Sequence, residues 1–197
     1  MIRQSFAVSA AVSAAMLFFS ACKPPPTDVD LRGGAPTSDP PSASSPLPSP
    51  DTEGAVLKVS PLSENRLLYG KPGAPALMAL ECLDAKTAPE PLMEISRLSP
   101  ADEGAGALLA LVGNGHIGRI SVDANVNDRP GWHGTVEASD TVWEPLAGPR
   151  QLTATVPGAG MVVLNPSPLP GELIDACRAG EPLPKESWDE ADMKAAR

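Results

Sequence analysis

The sequence predicts a mainly β protein, a small antiparallel sandwich or barrel-like domain with one short helix near its C-terminal end. Between Gly54 and Gly180, apolar residues come in short runs separated by Gly, Pro and Asn, which is typical of an all-β chain. This stretch of about 127 residues is long enough for one core that buries roughly two-thirds of the unfolded chain's surface. All three Phe precede residue 20, so the core must be largely aliphatic.

The first strands that we predict lie in the middle of the chain. Residues 76–83 are nearly apolar on both faces, which favours a central strand. Residues 92–98 form a second strand with Met93 and Ile95 facing inward. Another strand is expected to contain Trp132, and we expect Trp132 and Trp143 to plug an open end of the domain.

Two hairpins are predicted from their turn residues. Residues 107–112 and 116–122 flank Gly113-Asn114-Gly115, and Asn and Gly tolerate the positive φ angles of tight turns. Residues 151–156 and 161–164 flank a second turn, Pro157-Gly158-Ala159-Gly160, and the first of these two strands alternates apolar and polar residues.

One helix is predicted, from Gly171 to Arg178. Its spacing places Leu173, Ile174 and Cys177 on one face. Pro170 suits the first turn of a helix, and Gly180 suits its end.

The chain outside this domain differs in composition. Residues 22–53 contain nine prolines with Ser, Thr, Asp and Gly, and they bury too little apolar surface to offset chain entropy. We therefore expect a disordered, extended tether. The polar tail 181–197 forms either a helix anchored by Trp188 or loose chain.

The N-terminus has the parts of a secretory signal. Arg3 precedes an uncharged apolar run from Ser5 to Ala21, which closes on Ser20-Ala21-Cys22. With Cys directly after the small residues, the segment resembles the signal of bacterial lipoproteins. The resemblance covers residues 1–23 and implies cleavage after residue 21 and acylation of Cys22 with fatty acids such as palmitate. It also implies anchoring in the bacterial envelope, and Lys23, rather than Asp, favours the outer membrane facing the periplasm.

Export also predicts a disulfide. Once Cys22 is acylated, only Cys82 and Cys177 remain, and the compartment is oxidising. We expect these two to pair and to link the C-terminal helix to a central strand, closing a loop of about 95 residues.

Charge and motifs exclude several kinds of site. The net charge of −9 and the scarcity of aromatic residues argue against nucleic-acid binding. His116 and His133 are the only histidines and are weak metal candidates, because His-Glu-x-x-His, Cys-x-x-Cys and a third His are all missing. No catalytic motif and no cofactor-binding motif is present.

Three functions are compatible with the sequence. The leading one is a membrane-anchored envelope lipoprotein whose β domain is a non-catalytic binding or scaffolding module for a protein or another envelope component. The second is a module similar in outline to periplasmic lysozyme inhibitors. The third is a metal-dependent hydrolase using His116, His133 and a carboxylate, which requires these side chains to converge.

Overall fold

The fold is one nine-stranded antiparallel sheet that curls into a nearly closed, barrel-like shape. The structure, a computed structural model, describes residues 45–83 and 90–184. Cys22, the signal, the tether up to residue 44 and the tail from residue 185 lie outside the described residues. The strands, in chain order, are β1 Val56–Ser60, β2 Ser63–Gly70, β3 Met78–Leu83, β4 Leu92–Arg97, β5 Gly106–Gly113, β6 His116–Ala124, β7 Trp132–Glu137, β8 Leu152–Thr155 and β9 Met161–Leu164.

The strand order in the sheet is β1-β2-β3-β4-β7-β6-β5-β8-β9, and every pairing is antiparallel. Consecutive strands are mostly neighbours, but β4 pairs with β7 and β5 pairs with β8. Among the described residues, one α-helix, α1 Leu169–Ala179, follows β9, and two short 3-10 helices lie at Val126–Asp128 and Thr141–Leu146. The predicted fold class, both hairpins and the helix are confirmed.

The core fills the inside of the curled sheet. Met93 and Ile95 of β4 point inward, as predicted from their spacing. Trp143, on the second 3-10 helix, is fully buried, and its indole Nε1 donates to the Glu137 carbonyl at 2.9 Å. The other fully or nearly fully buried large side chains are Leu67, Tyr69, Leu109, Leu111, Ile120, Leu146, Leu169, Leu173 and Ile174.

Side chains join β9 to β2 and to the segment that precedes β1. The Tyr69 hydroxyl donates to the Val163 carbonyl at 2.7 Å and accepts from the Asn165 N–H at 3.2 Å. The Asn165 amide Nδ2 donates to the carbonyls of Thr52 (3.0 Å) and Ala55 (2.8 Å). Burial raises the pKa of Tyr69, which keeps this phenol neutral and able to donate.

The ordered domain begins before Gly54, which corrects the predicted tether boundary. Residues 47–53, which we call the strap, bond to the β8–β9 hairpin and its surroundings. Leu47 N–H donates to the Gly158 carbonyl at 2.8 Å, and Met161 N–H donates to Ser49 Oγ at 3.0 Å. The Lys71 ammonium pairs with Asp51 at 2.6 Å. These polar groups find partners on the domain, although the strap's composition alone predicts disorder.

The domain also extends past Gly180. Glu181 N–H donates to the Ala176 carbonyl at 2.9 Å, and Leu183 is buried in the core. The predicted boundary at 180 is therefore three residues short, because one leucine in a polar stretch packs against the sheet.

Candidate functional site

The two histidines lie far apart. His133 follows Trp132 at the start of β7 and pairs with Asp123 of β6. His116 is the first residue of β6, seven residues before Asp123. At about 3.3 Å per residue, the two are separated by roughly 23 Å along β6. They cannot share one metal ion. The two histidines and a carboxylate therefore do not lie together as the hydrolase hypothesis requires. Among the described residues, no group of three or more His, Cys, Asp or Glu side chains could hold a metal.

His133 belongs instead to a buried polar cluster on the outer face of β4 and β7. Its Nδ1 lies 3.0 Å from Ser96 Oγ and 3.4 Å from Glu94 Oε1, and Ser96 Oγ lies 3.2 Å from the same Glu94 oxygen. The other ring nitrogen, Nε2, lies 3.2 Å from the Pro130 carbonyl oxygen. Because a carbonyl only accepts, Nε2 is protonated and donates to it.

Arg129 covers the cluster. Its two terminal nitrogens bond to both Glu94 oxygens, at 2.7 and 2.8 Å, in a bidentate pair. Burial alone would raise the pKa of Glu94, but the hydrogen bonds and charge of Arg129 outweigh it and leave that pKa lowered. The pair fixes the loop of residues 125–131 over the outer face of the sheet, which explains why polar residues on that face are buried.

This cluster contains the residue types of a hydrolytic triad, but they are connected differently. In a triad, the serine and the carboxylate contact opposite ring nitrogens. Here Ser96 and Glu94 share Nδ1 of His133, and a main-chain carbonyl occupies Nε2. Ser96 is also only 2% exposed. The arrangement can hold a loop in place, but it offers no accessible nucleophile.

A second set of buried polar groups lies where β4 ends. Arg97, 4% exposed, donates to the carbonyls of Leu77 (3.0 Å) and Ala159 (3.1 Å) and so ties β4 to the β8–β9 turn. The ion pairs among the described residues do not include it, and burial lowers its pKa. Trp132, its cross-strand partner, is also buried. Arg97 therefore acts as a cross-brace between two carbonyl oxygens.

An open groove lies between β6 and β7, over the 3-10 helix Thr141–Leu146. Its volume is about 490 Å³, within the range of ligand-holding clefts. Ile117, Arg119 and Ser121 of β6 line one side, and Thr135 and Val136 of β7 line the other. The groove exists because β6 and β7 pair over only two residues and then diverge.

The predicted disulfide is confirmed. Cys82 of β3 and Cys177 of α1 are bonded, with their Cα atoms 5.6 Å apart. Cys177 is fully buried beside Leu173 and Ile174, whereas Cys82 is partly exposed. The bond therefore joins the C-terminal helix to the sheet, as predicted from the cysteine count and from the expectation that the chain is exported.

Comparison of the chain with protein-family models, with curated proteins and with solved structures gave no match. Over the part of the chain that the structure describes, no helix has both the length and the apolar character needed to span a bilayer.

Sequence reasoning missed both the buried cluster and the groove. The cluster combines Glu94 and Ser96 with residues 33 to 39 positions later, and its sequence signal is only two polar residues alternating with Met93 and Ile95. The groove depends on where β7 leaves β6. Ile117, Arg119 and Ser121 alternate on one face of a predicted strand, which is consistent with one side of the groove. Nothing in the sequence indicated that this part of the strand has no neighbouring strand to pair with.

Proposed function

We propose that this chain is a lipid-anchored envelope lipoprotein whose β domain is a non-catalytic binding or scaffolding module. Acyl chains on Cys22 hold it in the membrane, and Lys23 favours the outer membrane, with the domain facing the periplasm. The tether before the strap separates the domain from the lipid surface. Several acyl chains on one Cys provide the stable attachment that a single chain does not. The partner is a protein or another envelope component.

The observation that carries the binding role is the contrast between two features of the described residues. The buried polar cluster of Glu94, Ser96 and His133 is covered by Arg129 and lacks the geometry of a triad. The groove between β6 and β7, in contrast, is open and lined by exposed side chains such as Ile117. This contrast supports binding rather than catalysis, and it makes the groove the candidate binding surface.

Membrane attachment is tested with Cys22→Ser. We expect the unchanged protein to incorporate labelled palmitate and to stay in the membrane fraction at high salt. The variant should do neither. The double variant Cys82→Ala, Cys177→Ala is the matched control, because it removes the other two cysteines and leaves the anchor. Retention of Cys22→Ser in salt-washed membranes contradicts the lipid anchor.

The binding role is tested by pull-down from detergent-solubilised membranes with the lipidated protein. Ile117→Arg places a charge on the groove wall, and Leu62→Arg places the same charge on the β1–β2 turn, where Leu62 is 94% exposed. We expect a partner that the unchanged protein and Leu62→Arg both capture and that Ile117→Arg loses. Equal capture by all three proteins contradicts the groove as the binding surface.

A further inference from the structure

We propose that the groove between β6 and β7 binds an extended peptide segment of a partner protein, which adds to the free edge of β6 as a further strand. The inference rests on the proposed binding function and names the chemistry of the partner. It is carried by three features of the β6 edge: the direction of its main-chain groups, the departure of β7, and the side chains beside it.

The β5–β6 turn fixes which main-chain groups of β6 are free. Asn114 and Gly115 both have positive φ, 50° and 84°, as a two-residue type I′ turn requires. In such a hairpin the pair that closes the turn, here Gly113 and His116, is hydrogen-bonded. Because bonded and non-bonded pairs alternate, Ile117 and Arg119 occupy non-bonded positions opposite β5. Their N–H and C=O groups therefore point away from β5, towards the groove.

β7 does not pair with these groups. The β6–β7 ladder consists of Asp123 with His133 and Ala124 with Trp132, and it ends there. Beyond it, β7 stays paired with β4 as far as Leu92 with Glu137, and the Ala138 N–H then bonds to the Pro91 carbonyl at 2.8 Å. The position that the next strand would occupy beside Ile117 and Arg119 is the groove itself.

The 3-10 helix Thr141–Leu146 lies beneath β6 and leaves its edge accessible. Gly118 faces inward, and a Cβ there would collide with the Val142 carbonyl. This close approach places the helix against the inner face of β6. It forms the floor of the groove, while the outer side remains open.

The side chains around the edge indicate the composition of the segment. Ile117 is 60% exposed, and Leu108 and Val112 of the neighbouring β5 are also exposed. Arg119 is exposed and has no ion-pair partner among the described residues. The Asp140 carboxylate caps the 3-10 helix through the Val142 N–H at 2.8 Å. A partner segment of aliphatic residues, with one acidic residue opposite Arg119, would therefore complement this edge.

The main chain itself is the reason to expect a peptide. Free donors and acceptors recur every second residue along β6, about 6.8 Å apart, and another extended backbone matches that repeat along its length. An unprotected strand edge is otherwise an aggregation hazard that proteins usually cover.

Amide hydrogen exchange on the mature lipidated protein in detergent micelles tests the free edge. The Gly118 and Ile120 amides bond to β5 and should exchange slowly, whereas the Ile117 and Arg119 amides should exchange at least tenfold faster. Slow exchange of all four in the free protein means that the edge is already covered and overturns the proposal.

A synthetic heptapeptide probes the pairing. It carries Thr and Val in alternation with one central Glu, and the control peptide has the same side chains but N-methylated central residues. We expect saturating peptide to slow exchange at Ile117 and Arg119 at least tenfold, and the control to bind at least tenfold more weakly. Equal binding of the two peptides, or binding without protection of these amides, contradicts strand addition.

A charge swap tests the role of Arg119. Arg119→Glu should weaken binding of the Glu peptide severalfold, and replacing its Glu by Lys should restore it. Leu62→Glu, on a distant turn, should leave both affinities unchanged. Absence of the swap effect overturns the acidic preference. If the peptide does not bind while capture of a partner in the pull-down still depends on Ile117, the proposed function stands and the partner does not bind by adding a strand. If the peptide binds but the pull-down does not depend on Ile117, the pairing stands and the proposed groove function fails.

Discussion

The disulfide should supply a large share of the domain's stability. Cys82 and Cys177 are 95 residues apart in sequence, so in the unfolded state the bond closes the part of the domain between β3 and α1 into one loop. For a loop of this length, the chain-entropy relation gives about 4.7 kcal/mol at 25 °C. Small domains commonly have only about 5–15 kcal/mol in total, so loss of the bond should be severe.

The test is urea denaturation of the mature protein, oxidised and reduced, followed by tryptophan fluorescence, to which the buried Trp132 and Trp143 both contribute. With a denaturant dependence of about 2 kcal/mol per M, a loss of 4.7 kcal/mol lowers the midpoint by roughly 2–2.5 M. The double variant Cys82→Ala, Cys177→Ala is the control. Its midpoint should lie near that of the reduced protein and should not respond to reductant.

Reduction should not simply release α1. Leu169, Leu173 and Ile174 are fully buried, and their apolar packing does not require the covalent bond, so helix and sheet should still unfold in one transition. A difference below about 1 kcal/mol between the oxidised and reduced proteins would refute the reasoning. A separate early transition for the helix would refute cooperative unfolding.

Three other changes have expected outcomes. Asn165→Ala removes the bonds that join the end of β9 to the segment before β1. The Ala55 carbonyl loses this donor, whereas the Thr52 carbonyl keeps the Ala55 N–H at 3.1 Å, so the free energy of unfolding should fall by about 1–3 kcal/mol, measured by urea denaturation. A protein that starts at Gly54 lacks the strap and should melt a few degrees below one that starts at Ser45, and equal thermal midpoints would show that the strap contributes nothing. Glu94 has a lowered pKa, so its contribution should be fully present above the ordinary Glu value of about 4.3 and should be lost as pH falls through the lower pKa of the folded state. Glu94→Gln should therefore reduce the fall in the free energy of unfolding at acid pH. An unchanged fall would argue against the pair with Arg129.

Local signals predicted the elements whose chemistry is local. The β5–β6 hairpin was predictable because Asn114 and Gly115 supply the two positive φ angles that its turn needs. The helix was predictable because Pro170 and Gly180 mark its ends. β1 and β2 were not predicted, because residues such as Ser63, Glu64 and Asn65 hide the inward alternation of Leu67 and Tyr69.

Features that depend on distant pairing were beyond the sequence. Glu94 and Ser96 resemble the solvent face of a strand until the loop carrying Arg129 folds over them. That loop contains left-handed Asn125, Asn127 and Asp128, a conformation that the sequence only hints at. The register of β4 against β7, which brings His133 beside Ser96, joins residues 37 positions apart and has no local signature.

The strap has a mechanical consequence for the domain. A pulling force along the chain from its N-terminal side reaches the domain at Leu47 and acts first on its bond to Gly158, then on the Ser49–Met161 bond, and then on the Asp51–Lys71 pair. Bonds loaded one after another break at lower force than the same bonds loaded together. The strap should therefore detach under modest tension and release several residues of extended chain, about 3 Å for each residue. The pulling force would act on the sheet, which the Asn165 bonds and the disulfide hold together, only after the released chain is fully extended.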